Sequence, residues 1–146
     1  MLSELVLGIA MNIAVMLVHL GATFLLIAVV RPFESRLWGN PRLRLTLALL
    51  TTNVILLTAH LLEVGMWGSL YAALGLVADP SDAYYSAFVN YTTLGYGDVL
   101  QGTRTRLLGP MAAGSGILMF GWSTALLIYV LQGHLPHLTG QGRPRG

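Results

Sequence analysis

The feature that most constrains this chain is the run from Leu5 to Val30, which contains no charged residue. A helix crossing a hydrocarbon core of about 30 Å needs about 20 apolar residues, and this run supplies them. Two more apolar stretches follow, Leu43 to about Leu70 and Leu107 to about Gln132, so three membrane spans are predicted. Composition agrees: 10% of the 146 residues are charged and 55% hydrophobic, with a mean hydropathy of +0.69, whereas soluble domains carry about 25% charged residues. Cysteine is absent, which excludes disulfides and thiolate metal sites. The formal net charge of +2 is too small and dispersed for nucleic acid binding. A secretory signal needs a basic start and a short apolar core. This start carries Glu4 and an overlong apolar run, so the first span is expected to be retained.

Arg31, Arg36, Arg42 and Arg44 cluster between the first two spans. A short basic connection stays cytoplasmic under the positive-inside rule. The amino terminus is then expected outside, and three spans return Arg143 and Arg145 to the cytoplasm, leaving Arg104 and Arg106 outside. Arginine without lysine in so compact a chain fits a bacterial inner membrane. No span carries arginine at every third position, so repeated-charge voltage sensing is not indicated.

Asp79 to Gly102, between the second and third spans, is too polar to cross. Asp79 can cap a helix, Pro80 suits its first position, and Asp82 complements the positive end of the dipole. A helix from Pro80 to about Thr92 would be roughly 18 Å long, about half the hydrocarbon thickness. It can enter the bilayer but not leave. The irregular backbone after it, Thr93 to Gly97, then needs enclosure by protein or a watery cavity.

The string Asn90-Tyr91-Thr92-Thr93-Leu94-Gly95-Tyr96-Gly97-Asp98 resembles the pore loop of the potassium-channel superfamily. The resemblance covers roughly Leu43 to Gln132. It implies an all-α membrane protein with three transmembrane helices, a re-entrant pore helix and a selectivity-filter loop between the second and third, assembled as a homotetramer. Residues 1–42 would be an added span and cytoplasmic loop, 43–132 the pore module, and 133–146 a short disordered cytoplasmic tail. Potassium, the permeant ligand, would be coordinated by carbonyls of Thr93, Leu94, Gly95 and Tyr96, with the threonine hydroxyl adding a further ring of oxygens. No other cofactor is implied, and the partners are three more copies and membrane lipids. Gly95 and Gly97 would supply the positive φ that lets successive carbonyls point one way. Leu94 stands where valine is commoner in the family, so a less selective monovalent cation channel stays open, as does a nonconducting accessory subunit.

Around the filter, Thr92, Asp98, Tyr85 and Glu63 are candidate supports. Tyr85 matches an aromatic donor to the filter-mouth aspartate in the family, and equally suits an interfacial tyrosine belt. In the third span Gly116 is the best candidate for a gating hinge, with Gly114 and Gly121 competing, although packing alone would also explain these small residues. Ile117, Phe120, Thr124 and Ile128 share one helical face and would line the cavity, or else pack against lipid or helices.

Glu63 is an acid inside a span, with His60 three residues before it and Trp67 four after, on one face. It is either a buried acid bonded to His60 or to a neighbouring helix, or a support or proton-sensitive gate behind the filter. Asn12 and His19 are spaced like Asn53 and His60. Antiparallel packing would put Asn12 near the depth of His60 and Glu63, and His19 near Asn53. An enzyme would need convergent groups. An isolated His19 and the pair His60 and Glu63 are too sparse, so no catalytic residues are assigned.

Overall fold

A computed structural model describes residues 1–36, 40–79, 81–97 and 106–138. They form four helices: α1 (Leu2–Arg36), α2 (Pro41–Ala73), α3 (Asp82–Tyr91) and α4 (Leu108–Leu138). No strand occurs among the described residues. Segments Leu2–Val30, Pro41–Ala73 and Leu108–Leu135 are long and apolar enough to cross a bilayer, and only 22%, 22% and 28% of their most apolar windows are buried within the chain. Apolar surface exposed on this scale belongs against lipid or other chains rather than water.

Local chemistry sets the helix ends. Asn40 caps α2, its side-chain oxygen accepting from the amides of Arg42 at 3.1 Å and Leu43 at 3.4 Å, with Pro41 in the first turn. Gly75 takes φ +60 beyond the other end. There the amides of Gly75 and Leu76 reach back to the carbonyls of Ala72 and Tyr71 at 3.1 and 3.0 Å, closing the helix in a Schellman motif. The expected arginine loop is largely helical: α1 continues to Arg36, and Arg42 and Arg44 lie in the opening turns of α2. Residues 37–39 lie outside those described.

The short helix α3 has ten residues, about 15 Å at 1.5 Å per residue. Its cap position is Ser81 rather than the expected Asp79. Asp79 instead uses its carboxylate to accept the Ser81 amide at 2.9 Å, which holds that carboxyl below its usual range. Pro80 lies outside the described residues. At the far end of the chain α4 runs past Gly133, where a disordered tail was expected, to Leu138. Residues 139–146 are not among those described.

All four helices meet around the core containing Val15, Trp67, Tyr71, Tyr91, Leu108 and Met119. A second cluster, Leu26, Val30, Ala48 and Val130, joins the other ends of α1, α2 and α4. α3 thus packs at one end of a three-helix bundle, in the angle between α2 and α4.

Candidate functional site

The segment after α3 continues directly from its C-terminal turn. Thr92 folds its hydroxyl onto the Phe88 carbonyl at 2.8 Å, while the amides of Thr93 and Leu94 return to Asn90 and Val89 at 2.9 and 3.0 Å. From there φ is positive at Thr93 (+62), Gly95 (+60) and Gly97 (+73), and at neither Leu94 nor Tyr96, so the sign alternates residue by residue. Glycine adopts this without a penalty. Thr93 is β-branched, and the left-handed region costs such a residue on the order of 1–3 kcal/mol. Sequence reasoning allotted positive φ to the glycines and missed the threonine. Among the described residues this segment is left open: Leu94 is 53% and Tyr96 68% exposed. Asp98 lies outside the described residues, so its expected pairing with Tyr85, which is half exposed on α3, does too.

Behind α3 lies a buried polar network drawn from every helix. Glu63 is fully buried, and His19 Nδ1 of α1 meets its Oε1 at 2.9 Å. His60 Nδ1 approaches its Oε2 at 3.2 Å, and the Tyr91 hydroxyl donates to the same oxygen. His60 Nδ1 also lies 3.0 Å from the Tyr91 hydroxyl. On the other side, Ser123 Oγ of α4 lies 2.9 Å from His60 Nε2 and 3.3 Å from His19 Nε2. Tyr91 is the last residue of α3, so Glu63 is anchored two residues ahead of Thr93. One level further along the bundle, Ser115 donates to Asn12 at 2.6 Å and accepts from Trp67 at 3.3 Å.

This corrects the expected helix register. His19, not Asn12, reaches the depth of His60 and Glu63, while Asn53 bonds the Leu49 carbonyl of its own helix. His19 is therefore not isolated, and three ligand atoms from His19, His60 and Glu63 lie within 4.8 Å of one another. Ser115 and Ser123 were not singled out from sequence. Their burial on α4 is a property of the packed helices and has no local sequence signal.

α4 divides cleanly into two faces. Ala112, Ser115, Gly116, Met119 and Ser123 are buried, whereas Ile117, Phe120, Thr124 and Ile128 are exposed along the opposite face. Phe120 also touches the network, its ring centroid 4.8 Å from that of His60 and 5.6 Å from that of Tyr91. At Gly116 the backbones of α4 and α3 nearly touch: a Cβ there would lie 1.8 Å from the Tyr91 carbonyl oxygen. Close packing against α3 accounts for this glycine.

The sequence profile of a family described as an ion channel matches residues 46–133, more than half of the chain. No curated protein and no solved structure matches it.

Proposed function

The chain belongs to the ion channel family and is an integral membrane protein, and on that footing we propose that four copies surround a potassium-selective pore. The observation that carries this reading is the alternating sign of φ from Thr93 to Gly97 at the end of a half-length helix. Alternation lets consecutive carbonyls turn to one side, as required to replace the hydration shell of a cation. Thr93, Leu94, Gly95 and Tyr96 would give the carbonyl rings, and the Thr93 hydroxyl a further ring. One loop per chain gives a quarter of a closed ring, and four chains close it. The exposed segment, with Leu94 and Tyr96 uncovered, supports enclosure by neighbouring copies.

In this assembly α3 is re-entrant, its C-terminal dipole favouring a cation in the cavity below. The exposed face of α4 with Ile117, Phe120, Thr124 and Ile128 lines that cavity, and Thr92 and Glu63 support the filter from behind. Gly116 serves as the contact to α3 and, in gating, as a hinge. The amino terminus is outside and the carboxyl terminus cytoplasmic, as the arginine distribution favours.

Native mass measurement of the detergent-solubilised particle checks the assembly. The expected protein mass is four times 15.7 kDa. A monomer or dimer that still conducts contradicts the proposal.

A further inference from the structure

We propose that His19, His60 and Glu63 form an intramembrane site for a divalent transition-metal ion of the zinc class, built between α1 and α2 and braced by α4. Both imidazoles present the same edge to the same carboxylate: His19 Nδ1 to Oε1 at 2.9 Å and His60 Nδ1 to Oε2 at 3.2 Å. Tetrahedral metal bonds of about 2.1 Å place neighbouring ligand atoms about 3.4 Å apart. Here each imidazole lies 2.9 or 3.2 Å from a carboxylate oxygen, and one ligand atom from each of the three residues falls within 4.8 Å of the others. Two imidazoles and a carboxylate are a donor set suited to this ion class. The far nitrogens are held as well, since both Nε2 atoms converge on Ser123 Oγ at 2.9 and 3.3 Å. Hydrogen bonding of the distal ring nitrogen is how metal-ligating histidines are oriented.

The network is also short of hydrogens. With Glu63 ionised and both imidazoles neutral, five contacts link Glu63, His19, His60, Tyr91 and Ser123. Only four hydrogens serve them, one on each imidazole, one on Tyr91 and one on Ser123. At least one buried contact therefore has no hydrogen, and the further approach of His60 Nδ1 to the Tyr91 hydroxyl adds another claimant. A cation at the convergence removes the deficit. Both Nδ1 lone pairs and one carboxylate oxygen go to the metal, both Nε2–H groups donate to the two lone pairs of Ser123, and Tyr91 donates to the remaining carboxylate oxygen. The Ser123 hydrogen is then free to bond a carbonyl of its own helix.

His60 is the one partly exposed member of the set, with 15% of its side chain open, and it sits beside the exposed Phe120. The ion's route in thus runs past Phe120 from the open face of α4. Once bound, the ion ties α1 to α2 and, through Glu63 and Tyr91, to the end of α3 that precedes Thr93. The site does not depend on which ion permeates, and its test involves no flux.

Cobalt(II) titrated into the purified protein near neutral pH should bind one ion per chain, with visible absorption bands that zinc abolishes. His19→Gln and His60→Gln keep a donor toward Glu63, so the network and fold are retained, but each should remove the bands. Ser123→Ala, which takes away the outer support, should weaken binding by about 10- to 100-fold. His134→Gln, away from the cluster, should leave it unchanged. Helix content and particle mass are followed in every variant. Wild-type protein that binds no cobalt or zinc stoichiometrically overturns the site, as does binding that survives both histidine substitutions. A proton is the competing occupant, because one added hydrogen also completes the network. Its signature is a pH-dependent change in the fluorescence of Trp122, whose ring centroid is 5.5 Å from that of His19, without metal uptake, and that result too overturns the metal assignment.

Discussion

Gly95→Ala is expected to abolish ion flux while leaving membrane insertion and helix content intact. Gly95 sits at φ +60, and among the described residues beyond its two chain neighbours a Cβ built there meets no atom within 4 Å. Packing among the described residues therefore gives no reason to reject alanine. The objection is conformational: the left-handed region costs an L-residue about 1–2 kcal/mol, and in the proposed tetramer every one of the four chains would carry that cost. Four methyl groups would also crowd the ring that the carbonyls must form. In the proposed filter the strain would be relieved by turning the Gly95 carbonyl away, which would break a coordination ring without disturbing the spans. Liposome flux assays with matched protein content check this, and undiminished flux through the variant would remove Thr93 to Gly97 from the conduction path.

Gly116→Ala should act through the fold instead. The added Cβ would lie 1.8 Å from the carbonyl oxygen and 2.8 Å from the carbonyl carbon of Tyr91, and both are backbone atoms that cannot rotate aside. α4 and the end of α3 must part, at the position that carries the anchor between Tyr91 and Glu63. Overpacking of this kind costs about 1–3 kcal/mol, occasionally more. The expected result is a lower thermal unfolding temperature of the particle together with reduced flux. At Gly114 and Gly121 a Cβ meets nothing within 4 Å among the described residues beyond its own helix backbone, so alanine there should leave the described packing undisturbed. Thermal unfolding separates packing from a pure hinge: a Gly116→Ala protein as stable as wild type, altered only in opening, would show that the contact with Tyr91 is not what this glycine is for.

The parts of this architecture that were legible in sequence are those set by local composition. Long apolar runs mark the spans, the half-length helix follows from polarity and length, and the exposed face of α4 follows from helical periodicity around Ile117, Phe120, Thr124 and Ile128. Asn40-Pro41 is an equally local signal for the start of α2. What failed was register. Because α1 continues past Val30 to Arg36 before α2 begins at Pro41, pairings between the two helices move to higher residue numbers. The long side chains of His19 and Glu63 close the remaining distance. Ser123 and Ser115 could not be assigned from local pattern, since their partners His19 and Asn12 lie 104 and 103 residues away in the chain. Thr93 is a different kind of omission. Its propensity argues against positive φ, and only the conformation of the whole 93–97 segment imposes it.

The most direct test places purified protein in a planar bilayer with potassium on one side and sodium on the other. A potassium-selective filter predicts a reversal potential close to the potassium limit, with a permeability preference of about 100-fold, equivalent to about 2.8 kcal/mol. A reversal potential near zero, with both ions carrying current equally, would contradict potassium selectivity in a filter built from Thr93, Leu94, Gly95 and Tyr96.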